Sequence, residues 1–302
     1  MKAIVQYKYG DTNTLYLKDV VKPKIKNNEI LIEVYAANVS SGDMRINTLD
    51  VPFILKPLLR LVFGIKGPRR KVRGISGSGK VIEIGSEVTK YTIGDRVNYI
   101  NSMGAGCLAE FVALKESSVM AKIADNVTYT DAAPISFGAM TAYHFMNEST
   151  IEKGSNVVIY GASGSVGSYA LQLAKHFNAS VTAVSSKKNH EAIKAIGADI
   201  LIDYKTEDFS ESKEKYDIVF DAVGKISKKQ SMKILKENGK FLSVKSLTKE
   251  LTSRMVILNE LLSEGKIVTL MDKIYSLEEF KEAHKHVYGL HKVGNVVIEV
   301  KK

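Results

Sequence analysis

The chain has 302 residues, 45% hydrophobic and 25% charged, which excludes a disordered or fibrous protein and leaves room for two domains with real cores. A formal charge of +10 suits an anionic small ligand, an acidic membrane surface or nucleic acid, but the lysines are spread along the whole chain, which favours a generally basic, solvated surface over a nucleic-acid face. The single cysteine, Cys107, excludes an intrachain disulfide and a multi-cysteine zinc cluster.

Met1-Lys2-Ala3-Ile4-Val5 runs straight into a strand pattern with no signal-peptide core, and no apolar run approaches a membrane span, so a cytoplasmic location is the expectation. Residues 1 to about 125 predict short strands at Ala3–Tyr7, Leu15–Val20, Ile30–Ala37, Lys80–Ile84, Arg96–Tyr99, Ala109–Leu114 and Val119–Ile123. Gly10-Asp11, Asn27-Asn28, Gly85-Ser86 and Gly94-Asp95 punctuate them, as in a curled antiparallel β domain. Between Ser41 and Arg73 the pattern breaks. Residues 51–63 are apolar with two prolines, and Lys66, Arg69, Arg70, Lys71 and Arg73 follow. Such a segment suits either a membrane-facing hairpin or lid, or a buried helix followed by an exposed basic loop; its shortness and its prolines favour the second.

From about Ala132 the grammar becomes alternating helix and strand. A helix is predicted over Ile135–Asn147, then strand 157–160, helix 164–177, strand 180–185, helix 188–196 and strand 200–203. Strand 217–222, helix 227–237, strand 239–244, helix 253–264 and strand 267–270 follow. This alternation implies a parallel sheet covered by helices on both faces. A last helix, Leu277–Val287, precedes strand Asn295–Val300, whose pattern belongs with the N-terminal β domain.

The turn between strand 157–160 and its helix carries glycine at every third place: Gly161, Gly164 and Gly167. A strand, a tight glycine turn and a helix N-terminus form an anion site, because unpaired backbone amides and the positive end of the helix dipole face one spot. Ser163 stands where the second glycine of a G-x-G-x-x-G triplet would be, so the context of successive βα units, rather than the triplet, points to a dinucleotide.

The order of parts resembles the medium-chain dehydrogenase/reductase superfamily, in its zinc-independent quinone oxidoreductase branch. The resemblance is carried by Arg73-Gly74-Ile75-Ser76-Gly77-Ser78-Gly79-Lys80-Val81, Tyr91-Thr92-Ile93-Gly94-Asp95-Arg96-Val97, Ala109-Glu110-Phe111-Val112, and Ala132-Ala133-Pro134 running to Thr141-Ala142. It continues through the turn Gly161-Ala162-Ser163-Gly164-Ser165-Val166-Gly167, Gly197-Ala198-Asp199 with Asp203-Tyr204, Tyr216 to Asp221, and Leu277-Glu278-Glu279-Phe280 near Gly294-Asn295. It implies an α/β fold in which residues 1–125 and 272–302 form a GroES-like β-barrel catalytic domain. A Rossmann doubly wound parallel-sheet domain, residues 126–271, is inserted between them, with the cofactor in the cleft. By position it assigns Gly161, Ala162, Ser163, Gly164, Ser165, Val166, Gly167, Tyr204, Ala222 and Val223 to the cofactor, and Ser40 and Thr141 to the nicotinamide end as the catalytic pair. It also implies a homodimer joined through Ile267–Leu270.

An NAD site carries Asp or Glu roughly 20 residues past the glycine turn. Here that place reads Val184-Ser185-Ser186-Lys187-Lys188, with hydroxyls on Ser185 and Ser186 and a charge on Lys188 to meet a 2′-phosphate, so NADPH is the expected cofactor. Lys187 is as well explained as a solvated lysine. No metal is expected, because Ser40-Ser41-Gly42-Asp43 and Ile75 stand where the zinc-dependent relatives have a cysteine and a histidine. The histidines 144, 176, 190, 284, 286 and 291 lie elsewhere, and His144 reads as a packed core residue. Asp43 and Arg45 read as a structural salt bridge rather than an acid/base pair.

Without a Lewis acid, hydride addition to a quinone or an α,β-unsaturated carbonyl is easier than alcohol oxidation, because the product anion spreads its own charge. The expectation is an NADPH-dependent quinone/enone reductase, with a non-catalytic NADPH-binding protein and an alcohol dehydrogenase-like oxidoreductase as competing readings. The short connection after Val244 supports the non-catalytic one.

Overall fold

Two sheets organise the chain, and the change of sequence pattern near residue 130 marks where one gives way to the other. The computed structural model describes residues 1–50, 56–103, 105–289 and 292–301. The N-terminal run supplies β1 (Lys2–Gln6), β2 (Leu15–Asp19), β3 (Glu29–Val39), α1 (Ser41–Thr48), α2 (Lys56–Phe63), β4 (Ser76–Ile84), β5 (Arg96–Ile100), β6 (Phe111–Lys115) and β7 (Met120–Lys122). Next come α3 (Tyr129–Pro134), a π-helical turn at Ile135–Ala139, α4 (Met140–Glu148), β8 (Asn156–Tyr160), α5 (Ser165–His176), β9 (Ser180–Ser185), α6 (His190–Ala195) and β10 (Ile200–Asp203). β11 (Tyr216–Asp221), α7 (Lys228–Met232), β12 (Leu235–Ser243), α8 (Thr252–Ser263), β13 (Met271–Ser276), α9 (Phe280–Tyr288) and β14 (Asn295–Glu299) complete the chain.

The long β3 carries the GroES-like sheet. β4 pairs antiparallel along one side, while the other side is shared by β6 and, from the far end of the chain, β14. β13 extends that sheet parallel to β14, and β1 and β2 form a ribbon beside it. The second sheet is parallel, in the order β10-β9-β8-β11-β12 of a Rossmann fold. Its central strand β8 is apolar at Val157, Val158 and Ile159 because both faces are covered. Val157 and Ile159 pack with residues of α4, α5 and α8, whereas Val158 packs with Val184, Val219, Phe209 and Ile234 on the other face. Asn98 of β5 and Asn259 of α8 exchange amide hydrogen bonds of 2.9 Å each, which ties the two units together.

Four expectations change. The helix predicted over 135–147 is divided: Pro134 lacks an amide donor, and the Met140 amide reaches back to the Ile135 carbonyl, giving the wider π turn before α4 resumes. The helix predicted over 227–237 ends at Met232, because buried Ile234 and Leu235 are needed on the sheet and β12 starts at Leu235. Residues 267–270 are not a strand. The Val268 amide donates to Gln172 Oε1 (2.7 Å) and its carbonyl accepts from Gln172 Nε2 (3.0 Å), so this segment is pinned to α5 by a side chain instead of by the sheet. The strand through which dimerisation was expected is therefore not formed. Last, α2 buries none of its residues, and Leu58, Leu61 and Val62 are exposed, so the buried-helix reading does not hold over 56–63. Residues 51–55 of that stretch, like His291, lie outside the described residues. No helix among the described residues is long and apolar enough to cross a membrane.

Candidate active site

The glycine turn needs two of its glycines for different reasons. Gly161 has φ +80°, and a Cβ there would meet Val223 at 2.6 Å. At Gly167 a Cβ would lie 2.2 Å from the Gly161 carbonyl oxygen, so the first turn of α5 can sit on the strand end only without a side chain. Gly164 meets nothing nearer than 3.4 Å. Ser163 is tolerated at the second glycine place because it is built into the surroundings: its hydroxyl accepts from Asn189 Nδ2 (2.9 Å) and its carbonyl from the Gly294 amide (2.7 Å). Ala162 is fully buried.

Gly164 caps α5 with no side-chain bond, and the Ser168 amide is the first to find a helical carbonyl, that of Gly164 at 2.9 Å. The amides of Ser165, Val166 and Gly167 have no intrahelical acceptor by the geometry of a helix start. Together with the side-chain-free approach at Gly167 they form a cradle that fits a pyrophosphate. The start of β14 closes over it. Gly164 and Gly294 pair as a parallel bridge, Ser165 Oγ donates to Asn295 Oδ1 at 2.5 Å, and the Lys292 ammonium donates to the Gly294 carbonyl. Burial pushes the Lys292 pKa down to about 8, against the opposing pull of Asp272.

The residues assigned to the adenosine end gather at the C-terminal ends of neighbouring strands. Ser185 ends β9 and Ser186 follows it, both buried, while Lys187 and Lys188 are exposed. Tyr204 follows β10, is 49% exposed and lies 6.3 Å from the Tyr160 ring, centroid to centroid. Asp203 pairs in register with Ser185, but its carboxylate accepts from the Lys205 amide at 3.1 Å. Ala222 and Val223 leave β11 beside the glycine turn, and the Ala222 amide donates to the Tyr160 carbonyl at 3.0 Å.

Their loop is held by a residue the sequence reading passed over. Asp221 is fully buried, and its Oδ1 accepts from the amides of Val223 (3.2 Å), Gly224 (2.8 Å) and Lys225 (3.2 Å). Its Oδ2 accepts from the Ile226 amide at 3.2 Å. An acidic residue closing an apolar strand before Gly224 was the available signal.

The facing wall is α1. Ser40 and Asp43 form a capping box: Asp43 Oδ2 accepts from the Ser40 amide (2.9 Å) and hydroxyl (2.6 Å), while Ser40 Oγ accepts from the Asp43 amide (3.3 Å). Asp43 Oδ1 accepts from the Ile75 amide at 3.1 Å. Burial holds the Asp43 carboxyl above the usual carboxylate range, against Ser40, His284 and Arg73. The expected Asp43–Arg45 salt bridge is not formed, because Asp43 turns inward onto these amides while Arg45 is exposed. Gly42 is the contact point between walls: a Cβ there would meet Phe137 of the π turn at 2.8 Å and Ile75 at 2.9 Å. Phe137 is four residues from Thr141, which is half-buried in α4 with its hydroxyl unpartnered among the described residues. His144 is half-buried with Nδ1 2.8 Å from Arg254. Among the described residues, no three His, Cys, Asp or Glu side chains converge as metal ligands.

The chain is similar to known proteins over nearly its whole length. A family model described as zinc-binding dehydrogenase matches residues 165–287, and one described as alcohol dehydrogenase GroES-like domain matches residues 26–125. The chain is 32% identical to a 2-methylene-furan-3-one reductase of Solanum lycopersicum, over 99% of this chain and 79% of the relative. It is 30% identical to a quinone-oxidoreductase homolog of Spinacia oleracea, over 96% of this chain and 95% of the relative. The solved quinone oxidoreductase of Coxiella burnetii superposes with a TM-score of 0.89 at 29% identity, covering 100% of this chain and 99% of that one.

Proposed function

This chain belongs to the medium-chain dehydrogenase/reductase superfamily, in its quinone oxidoreductase-like branch, and on that premise we propose that it is an NADPH-dependent, zinc-independent reductase of quinones or α,β-unsaturated carbonyl compounds. The observation that carries the reading is the amide cradle at Ser165, Val166 and Gly167, with Ser185, Ser186 and Lys188 rather than a carboxylate at the end of β9. An NADPH-dependent alkenal/one oxidoreductase of Arabidopsis thaliana is among the relatives, at 29% identity over 99% of this chain.

The cradle holds the pyrophosphate, Ser185, Ser186, Lys188 and Tyr204 surround the adenosine phosphate, and Ala222 and Val223 border the cofactor beyond the turn. When bound, the dihydronicotinamide supplies two electrons and one hydrogen to the substrate. Ser40 and Thr141 face its reactive end, with unequal parts. The Ser40 hydroxyl proton is already committed to Asp43, so Ser40 anchors α1 and offers only an acceptor. Thr141 keeps an uncommitted hydroxyl and is the side-chain donor for a substrate oxygen. The charge on that oxygen is delocalised in an enolate or hydroquinone anion, so one hydrogen-bond donor is adequate, and the single proton that completes the reduction after hydride transfer comes from water. Ser40 and Ile75, which stand where metal ligands would be needed, have no affinity for zinc.

Loss of NADPH absorbance against a panel of quinones and enones tests this. Turnover with both classes or either, undiminished by a chelator, is the expected result. Tight NADPH binding with no turnover across the panel would leave a binding protein in place of an enzyme.

A further inference from the structure

On the side of α1 away from its cap lies a cavity of about 280 Å³, at the small end of small-molecule pockets. Ile46, Phe63 and Met103 give it apolar walls, and Arg69, Arg70 and Arg73 give it charge. Tyr9 also lines it and donates to the Gly64 carbonyl at 3.0 Å. The Arg73 guanidinium is buried and held: Nε donates to Asn47 Oδ1 (2.8 Å) and Nη1 to the Arg70 carbonyl (3.3 Å). Arg69 and Arg70 are exposed, and neither side chain has an ionic or hydrogen-bond partner among the described residues. No carboxylate is among the described residues lining the cavity. Arg73, Arg60 and Arg69 oppose the burial that raises the Tyr9 hydroxyl pKa, so the positive field reaches the cavity wall itself.

The cavity shares α1 with the cleft wall. Ile46 is six residues along α1 from Ser40, a span of roughly 9 Å at the rise of a helix. Ser102, which lines it, donates to Glu250 Oε1 at 2.6 Å in the connection between β12 and α8, and so faces the Rossmann side. At roughly 1.2 Å per bond, an eight- to ten-carbon chain matches that length of α1, from its Ser40 end to the cavity.

We propose that this cavity is a substrate subsite for an oxyanion, so that the preferred enone or quinone carries a carboxylate or phosphate at the end of an apolar chain, bound by Arg69 and Arg70 over the buried Arg73. The inference rests on the reductase reading above. Two guanidinium groups without partners among the described residues, on arginines that line an apolar-walled cavity, match an anionic amphiphile, whereas a neutral one would offer them no countercharge.

The matched pair (E)-10-oxodec-8-enoic acid and its methyl ester tests it, with the full chain and NADPH. The acid is expected to have a kcat/KM about 10- to 100-fold above the ester, mostly through KM, the range of one or two charge-assisted hydrogen bonds. In the double variant Arg69→Ala/Arg70→Ala the ratio is expected to fall close to one. Both side chains are exposed and the hydrogen bonds of this loop use their backbone, so the fold is retained. Equal kcat/KM for acid and ester in the parent protein overturns the inference, as does a ratio that survives in the double variant.

If no enone or quinone is reduced, the reductase reading fails, and the subsite is judged by calorimetry of decanoate, decyl phosphate and methyl decanoate with the NADPH-loaded protein. Tighter binding of either anion, lost in the double variant, upholds it, and the tighter of the two identifies the oxyanion. Equal binding of all three overturns it. Cosedimentation with anionic phospholipid vesicles without preference for the soluble anions also overturns it, in favour of a membrane-facing surface.

Discussion

The glycine turn and the cavity beside α1 both offer positive potential to an anion, yet they are built from opposite materials. At the turn the potential comes from backbone amides and a helix start, and the side chains matter by being absent, as Gly167 shows. At the cavity it comes from guanidinium groups on a loop between α2 and β4, and the backbone only carries them. A backbone site has one geometry and accepts one kind of ligand across many sequences. A side-chain site is open to change by single substitutions, which is how a shared cofactor fold acquires its own substrate.

The largest expected effect breaks the first of these. Gly167→Ala places a methyl group 2.2 Å from a backbone oxygen that cannot move without shifting β8, and NADPH affinity is expected to fall roughly 100-fold in a fluorescence titration. Gly164→Ala, with 3.4 Å of clearance and a negative φ, is expected to cost less than about threefold. Equal losses at the two positions would mean that the turn works through its composition instead of through that one approach.

The next largest break is at neither anion site but at the cap of α1, the helix that separates them, with Asp43→Ala. It leaves the Ser40 amide and hydroxyl and the Ile75 amide without their acceptor in a buried place. A loss of about 2 kcal/mol in urea unfolding is expected, the scale of buried donors left unpaired. Asp43→Asn keeps one acceptor oxygen and is expected to lose about half of that.

This contrast also explains what was legible in the sequence. β8, the turn and α5 could be read because an apolar run, a glycine spacing and a change of period are all local. Both sheets followed from such local signals. Segment 267–270 was misread because its apolar, β-branched residues look like a strand. Only Gln172, almost a hundred residues earlier in the chain, decides that its amide and carbonyl are satisfied from a helix. The role of Asp43 was hidden for a related reason: the reading paired it with Arg45 as a charge, while the S-x-x-D capping pattern from Ser40 was there to be seen. The cavity is lined by Tyr9, α1, the end of α2 with the loop after it, and Ser102, Met103 and Ala105, and no single stretch announces it.

Ser186→Asp sharpens the cofactor side without disturbing the turn. A carboxylate beside Ser185 repels a 2′-phosphate and accepts from a ribose hydroxyl, so the NADPH-to-NADH ratio of kcat/KM is expected to fall about tenfold. Unchanged Michaelis constants for both cofactors would remove the selectivity assigned to this strand end.

The smallest effect concerns Lys292, which lies where the C-terminal strand closes over the cradle. Its ammonium is held with a pKa of about 8 instead of 10.5, so folding pushes its proton off. Below pH 8 the side chain is charged in both folded and unfolded chains, and its burial is a constant penalty. Between pH 8 and 10.5 the unfolded chain binds a proton that the folded chain has released, so this residue makes stability rise with pH across that window. Lys292→Met removes the penalty but also the hydrogen bond to the Gly294 carbonyl, leaving a net gain of about 1 kcal/mol at neutral pH. Urea midpoints measured from pH 7 to 10 are expected to show the variant ahead at pH 7 and the gap closing as the pH rises. A constant gap would mean that Lys292 is already neutral at pH 7, or is not held by burial at all.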